Sequence, residues 1–495
     1  MLRLPGMRLS LPKEIIAITA AMNQAGYDLY LVGGSVRDLV LNRPVHDWDF
    51  TTSALPDQIK AVFPEAFYEN IFGTVSVVGE HLYEQLQLDA EAYLPEDKSQ
   101  VYEITTFRSE GTYSDHRRPD EVTWGKSIQD DLQRRDFTIN AMAIKLTTSQ
   151  DQQSAVFKDF AGMPDRIDLS AELFDPYRGK LDLDQRVIKA VGQPNERFEE
   201  DALRMLRAIR LAAQLKFGID PETLIAIQTK ADQIQHVSWE RIRDEFLKIL
   251  VTDQVEDALT IMATTGLLNH ILPEIIPAKG VEQRGHHEYD VWEHLFKAVQ
   301  LCPSKDPVVR LATLLHDIAK PQTQAPLPDK PGEYSFHNHE VVGARVARDV
   351  ARRLRMSKDD VQRVFTLVRW HMFYYQPTMT DAAIRRFMRR VGPENMEDIM
   401  ALREADRLGS GSKRTSWRLE EMKQRIHDQM QEPLKVSDLA INGHDVMSSL
   451  NIPAGPRVGQ ILNELFEEVL DDPDKNNRDY LLNRLKDLPL ISQSE

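Results

Sequence analysis

The sequence predicts a mixed α/β head followed by an all-α remainder, and three observations carry that reading. Short apolar, β-branched runs alternate with helical stretches over roughly the first 145 residues. The pair Gly33-Gly34 closes the first such run and opens a helix at about Ser35. From Phe174 onward apolar residues recur at helical spacing. At 495 residues there is room for roughly three or four domains, each with its own core.

Strands are expected at Leu29–Val32, Trp48–Thr51, Val75–Val78, Val101–Phe107 and Ala141–Lys145, with helices from about Ser35 and over Pro56–Val62. The acidic stretch Glu80–Asp97, poor in β-branched residues, reads as a loop inserted in a hairpin. Cys302 is the single cysteine, which excludes an internal disulfide framework and fits a reducing cytoplasm. Lys13 and Glu14 interrupt the apolar run Leu11–Ala21, so neither a signal peptide nor a membrane partner is expected. A net charge of −16 argues against a globally cationic RNA-binding surface. Locally, Val341 to Glu420 holds about 17 Lys and Arg against about 10 Asp and Glu, a patch able to track phosphates or a set of solvated helix faces.

The chemistry begins at Leu31-Val32-Gly33-Gly34-Ser35-Val36-Arg37-Asp38. Two glycines let backbone amides approach phosphate oxygens, and Arg37 adds a fixed cation. Asp47 and Asp49 lie two apart in a strand-like stretch, so both carboxylates leave one face. Hard oxygen ligands facing a triphosphate suit Mg²⁺, and two such ions could activate a 3′-hydroxyl and stabilise departing pyrophosphate. Glu103, in a strand of alternating pattern, reads either as a third metal carboxylate or as a plain edge-strand glutamate. In Arg134-Arg135-Asp136-Phe137-Thr138-Ile139-Asn140, Arg135, Asp136 and Asn140 offer donors and acceptors for ribose and phosphate. On the helix expected after Glu199, Asp201, Arg204 and Arg207 project together at i, i+3 spacing, either as a helical salt bridge or as a base reader. Aspartate only accepts and arginine only donates. The pair can accept the amino donor and ring-nitrogen acceptor shared by cytosine and adenine, and reject uracil and guanine without a template.

These strings resemble the nucleotidyltransferase signature of the polymerase-β superfamily, in the class II form found in tRNA nucleotidyltransferases and bacterial poly(A) polymerases. The resemblance implies a polymerase-β-like α/β head with Mg²⁺ on Asp47 and Asp49. It implies phosphate and ribose contacts from Gly33, Gly34, Arg37, Arg135, Asp136 and Asn140, and base selection by Asp201 and Arg204 with Arg207 beside them. Phe107 to Pro119 looks like the family's flexible loop, in which Arg108, Asp115 and Arg118 would help switch the site from CTP to ATP. Asp175, Gly179 and Arg186 match the family's neck motif. The stretch Tyr68-Glu69-Asn70-Ile71-Phe72-Gly73-Thr74-Val75 lacks the basic aromatic string usual in bacterial poly(A) polymerases.

Farther on, His294, the His316-Asp317 pair after an apolar run, His339, His371 and Asp406 sit on separate helical stretches. They resemble the HD phosphohydrolase superfamily. That likeness makes His294, His316, Asp317 and Asp406 ligands of a divalent transition metal or Mg²⁺, and His339 and His371 phosphate or second-metal ligands. The implied domains are a palm at 1–147, a neck with the base-selecting helix at 148–218, a helical body at 219–282, an HD domain at 283–410 and an RNA-binding helical tail at 411–495. The leading expectation is CCA addition to tRNA from CTP and ATP, with a phosphohydrolase activity at the HD domain. An A-adding or CC-adding enzyme, a poly(A) polymerase, and a phosphohydrolase with an inactive RNA-binding head are the rivals. Oligomeric state is left open.

Overall fold

The period-two alternation of the head builds one eight-stranded mixed sheet. The computed structural model describes residues 3–68, 73–85, 99–109, 123–125, 127–160, 163–283, 289–328 and 333–487. These fall into two units, Met1–Glu245 with Asp257–Ile271 and Phe246–Glu256 with Leu272–Glu495. In the first unit the strands are β1 (Arg3–Pro12), β2 (Leu29–Val32), β3 (Trp48–Thr52), β4 (Phe67–Tyr68), β5 (Thr74–Val78), β6 (Val101–Thr106), β7 (Arg108–Ser109), β8 (Thr123–Trp124), β9 (Ala143–Leu146) and β10 (Arg166–Phe174), followed by a short parallel pair, β11 (Val187–Ile188) with β12 (Gly218–Ile219). The sheet runs β1-β10-β9-β2-β3-β6-β5-β4, and β7 with β8 forms a separate ribbon.

β3 and β6 pair in parallel, with Asp49 opposite Glu103 and Phe50 opposite Ile104. β5 and β6 are antiparallel, with Val75 opposite Ile104 and Ser76 opposite Glu103. Paired residues share a face, so Phe50, Ile104 and Val75 go to the core, where they are at most 1% exposed, while Asp49 and Glu103 share the opposite face. Glu103 therefore lies on an inner strand between β3 and β5, not on an edge. The helix Lys13–Gln24 buries Ile15, Ile16, Ile18 and Met22 completely, as a helix wrapped on several sides must.

Several expectations shift here. The first helix starts at Gly33, two residues before Ser35. Gly79–Gln85 within the expected hairpin loop is helical. β10 lies beyond the expected palm boundary at 147 yet pairs with both β1 and β9, because its alternating Ile167, Leu169, Ala171 and Leu173 suit a half-buried strand. Asp115, Arg118 and the stretch 69–72 lie outside the described residues.

The neck motif has a mechanical explanation. Asp175 accepts the Gly179 and Lys180 amides at 2.7 and 2.9 Å, holding the open end of the helix Gly179–Gln185. Asp182 accepts the Thr138 hydroxyl at 2.6 Å. A Cβ on Gly179 would fall 2.1 Å from the Thr138 carbonyl oxygen, so backbone meets backbone there.

The second unit is helical. Buried Arg310 donates to the carbonyls of Leu250, Thr252, Cys302 and Ser304, giving one cation to the carboxyl ends of two helices. Toward the carboxyl end, Val446, Leu465, Val469, Leu481 and Leu485 form a core of their own, each fully buried. A Cβ on Gly409 would sit 2.8 Å from Ala298, so the helices Met396–Gly409 and Val291–Leu301 cross at near backbone contact.

Replacing Gly179 by alanine is expected to cost about 1–3 kcal/mol, the range for an overpacked site. Calorimetry of the full chain should show the melting temperature falling by several degrees, and an unchanged transition would refute the contact's importance.

Candidate active site and metal centre

Glycine chemistry positions the head site. Gly33 has φ +70°, and a Cβ there would approach Arg135 Nη1 to 3.0 Å and Asp49 Oδ2 to 3.1 Å. The turn after β2 is thus pressed against both groups. Gly34 brings its backbone close to the Arg37 guanidinium in the same way, 3.4 Å from where a Cβ would stand. Arg37 is fixed by Asp38 at 2.8 and 2.9 Å and by the Asn140 side-chain oxygen at 3.0 Å. Asn140 in turn donates to Asp136 at 3.2 Å, and Arg207 donates to the other Asp136 oxygen at 2.6 and 2.8 Å.

Asp49, Glu103, Arg108, Arg135, Asp136, Asp201, Arg204 and Arg207 line one cleft of about 350 Å³, within the usual range for small-molecule sites. Asp47 is exposed, one residue before β3. Burial raises the Asp49 carboxyl above its ordinary value; Arg135 opposes this, while the negative charge of Asp47 adds to it. Asp49 on the cleft wall, with the exposed Asp47 carboxylate two residues before it, is a donor set that fits a hard divalent cation. Glu103 extends that acidic edge.

The group Asp201, Arg204 and Arg207, expected to read the base, is arranged differently from the sequence expectation. Asp201 is not on the helix of Arg204. It caps the end of Pro194–Glu200 with extended backbone, φ −148°, and accepts the Leu203 amide at 3.1 Å as the next helix, Leu203–Leu215, begins. Its carboxylate pairs with Arg241 at 2.6 and 3.2 Å rather than with Arg204. Arg204 is held by Glu200 at 2.7 Å and by the carbonyls of Arg197 and Arg134 at 3.3 and 3.1 Å. The helix breaks because the aspartate satisfies a helix-terminal amide that a continuous helix would have paired internally. Both side chains still line the same cleft.

Arg241 escaped sequence reading because it lies forty residues away with no motif around it. Asp131 escaped too, although its spacing to Arg134 and Arg135 was visible. It is fully buried and pairs with Arg134 at 2.5 Å and Arg135 at 3.0 Å. Burial would raise its carboxyl, but the two guanidiniums win and hold it below the ordinary value.

In the second unit the histidines and aspartates converge. His294 Nε2 is 3.0 Å from His316 Nε2. Asp317 Oδ2 lies 3.3 Å from each, and Asp406 Oδ1 lies 3.5 and 3.6 Å from them. His339 and His371 approach Asp317 Oδ1 at 3.1 and 3.6 Å. The ring Nδ1 atoms of His316, His339 and His371 each stand 2.7 Å from a backbone carbonyl three residues earlier. That arrangement assigns a proton to each Nδ1 and turns each Nε2 inward. The Nε2 atoms of His339 and His371 are buried without a hydrogen-bond partner. Six inward-facing donors in two overlapping groups are what a divalent cation requires, and the donor set fits one.

Residues 29–189 match the poly A polymerase head domain, 216–279 the probable RNA and SrmB-binding site of polymerase A, and 341–485 the putative domain 2 of tRNA nucleotidyltransferase. The chain belongs to the tRNA nucleotidyltransferase and poly(A) polymerase family. A CCA-adding enzyme of Levilactobacillus brevis is 43% identical over 251 residues, which cover 50% of this chain and 53% of that one. The chain thus spans about half the length of the first curated relatives it matches. A CCA-adding enzyme of Anoxybacillus flavithermus is 28% identical over 477 residues, 95% of each chain. The crystal structure of the Bacillus stearothermophilus CCA-adding enzyme in complex with CTP superposes with a TM-score of 0.65 at 26% identity, covering 96% of each chain. The family's head, with its mixed sheet, and its largely helical remainder are both present here. Among the described residues no helix is long and apolar enough to cross a membrane.

In this family member the Asp136–Arg207 pair makes a pH prediction. Burial alone would raise the Asp136 carboxyl, but the Arg207 charge and its hydrogen bonds bring it down to about 2 from 3.8. A depressed carboxyl stabilises the fold above its unfolded value and loses that contribution as pH falls through about 2. For this carboxyl, 8% exposed, the shift corresponds to about 2 kcal/mol. Arg207→Met should therefore be less stable than the parent by about that much near neutral pH. The gap, followed by denaturant unfolding, should close as pH falls from about 4 toward 2; a gap independent of pH would contradict the pairing.

Proposed function

We propose that this chain adds the 3′-terminal CCA to tRNA from CTP and ATP without a nucleic-acid template. The observation that carries the reading is the single cleft in which an acidic edge, a phosphate-sized cationic wall and the Asp201/Arg204 group face one another. The 3′-hydroxyl attacks the α-phosphorus of the nucleotide and pyrophosphate leaves. Asp47 and Asp49 would hold divalent ions, which would supply charge stabilisation to that displacement. Arg135, anchored on Asp131, faces the triphosphate beside the Gly33 turn. Arg37 is spent on Asp38 and Asn140, so it fixes the Asn140 amide for the ribose and reaches phosphate from a locked position. Asp201 accepts from the exocyclic amine of cytosine or adenine, and Arg204 donates to the ring nitrogen, each pre-set by its own protein partners.

Incorporation of labelled CTP and ATP into tRNA transcripts ending at the discriminator base, at C and at CC tests this directly. All three are expected to reach CCA. Extension of only the CC-ended transcript would make the chain an A-adding enzyme, and a long adenosine tail would make it a poly(A) polymerase. Replacing Asp47 and Asp49 together by alanine should remove incorporation altogether. Residual transfer near the parent rate would move the catalytic carboxylates elsewhere.

A second activity is favoured by the convergent histidines. We infer that His294, His316, Asp317 and Asp406 hold a divalent transition metal or Mg²⁺, and that His339 and His371 hold a phosphate or a second ion. Such a site hydrolyses phosphoesters. Elemental analysis of the purified chain should find bound metal, lost in the His316→Ala, Asp317→Ala double variant along with metal-dependent phosphoesterase activity. If the double variant keeps both its metal content and its hydrolysis, the cluster is structural.

A further inference from the structure

Beside the His/Asp cluster lies a cavity of about 380 Å³ that neither reaction described so far employs. Its walls carry Phe373, Tyr374 and Trp417 together with Arg403, Arg407 and Arg418. Two of these aromatics are unusually open to solvent, Tyr374 at 70% and Trp417 at 64%. The arginines stand close to the rings. Arg403 is 5.5 Å from the Phe373 centroid and Arg418 is 5.3 Å from that of Trp417.

Two covalent and polar links tie this cavity to the cluster. Phe373 and Tyr374 follow His371 by two and three residues, just past the end of the helix Lys358–Trp370. Arg403 donates to Asp406 Oδ2 at 2.8 Å, while Asp406 Oδ1 faces His294 and His316. One carboxylate therefore looks both ways, toward the inward-facing histidines and toward a guanidinium that lines the cavity. The surrounding stretch, Val341 to Glu420, is also the part of the chain with the local cationic excess.

Exposed rings backed by guanidiniums make a stacking platform that takes any nucleobase, since every base offers a π-face, and the cations accompany its phosphates. An apolar ligand would use only the rings of this lining, and an isolated phosphate only its guanidiniums. We propose that this aromatic–arginine cavity binds the base of a nucleotide phosphoester, either a mononucleotide or the 3′ end of a single RNA strand, and presents its phosphate to the His/Asp cluster. The proposal deepens the phosphohydrolase reading and rests on it for the destination of the phosphate. Base recognition at the cavity stands independently.

Two measurements on the full-length chain separate these parts. Photolysis with 8-azidoadenosine monophosphate, mapped by mass spectrometry, should label the peptides carrying Tyr374 and Trp417. Label confined to the head would overturn the proposal. Protection by unlabelled AMP identifies a mononucleotide as ligand, and stronger protection by an RNA oligonucleotide ending in CCA identifies a strand end; protection by neither overturns base binding. For hydrolysis, the ratio of kcat/KM for AMP over ribose 5-phosphate should exceed one. It should fall about tenfold in Trp417→Ala, the order expected for one lost stack, and recover in Trp417→Phe. An unchanged ratio in Trp417→Ala overturns the proposal. If the parent chain hydrolyses neither compound, the phosphohydrolase reading fails, and the cavity is then decided by the cross-link alone.

Discussion

A carboxylate taken out of water must have its oxygens filled, and in the head that demand falls on Asp136. One oxygen accepts the Phe137 amide and the Asn140 side chain, the other accepts two donors from Arg207. Through those bonds a short turn is fastened to the helix Leu203–Leu215. Through Asn140 the same carboxylate reaches Arg37, and through Arg37 it reaches the glycine turn after β2. One side of the head is therefore a chain of groups already bonded to one another, fixed in place ahead of any ligand. Little reorganisation would be left for a reaction carried out there.

Much of this was legible in residue order because the chemistry constrains residue type at short range. Asp49 near a Gly-Gly turn, the Arg135-to-Asn140 string and the six His and Asp positions of the second cluster all announce themselves locally. What was hidden depends on partners far along the chain. Arg241 reaches Asp201 from forty residues away. β1, with a proline and a glycine inside it, becomes a strand only because β10 lies alongside, more than 150 residues later. The break at Asp201 was hidden for another reason: Glu199 to Arg210 has uniform helical propensity, and only the capping bond to Leu203 shows where one helix ends and another starts.

The second unit solves a harder electrostatic problem. Burial should expel charge from around His316, yet Asp317 and Asp406 raise its ring to about 10, so a cation taken up at its Nε2 would replace a proton there, while burial drives His371 the other way. Neighbouring rings thus sit in opposite protonation environments within a few ångströms. Lys320 adds a cation 2.6 Å from Asp317 and is itself steadied by Gln283. The cluster is a poised set of donors whose balance depends on what positive charge shares the space.

The near-contact of Gly409 with Ala298 places a limit on that space. Asp406 and His294 ride on the two helices that meet there, so their separation is set by main chain against main chain, not by how far a side chain stretches. Rotamer changes can tune a ligand by fractions of an ångström, but they cannot draw two touching helices closer. A larger residue at either crossing position would open the cage from a distance, without altering any atom that lines it. If the cage takes a cation, its selectivity for ionic radius would in that sense be encoded at a glycine and an alanine that line no part of it.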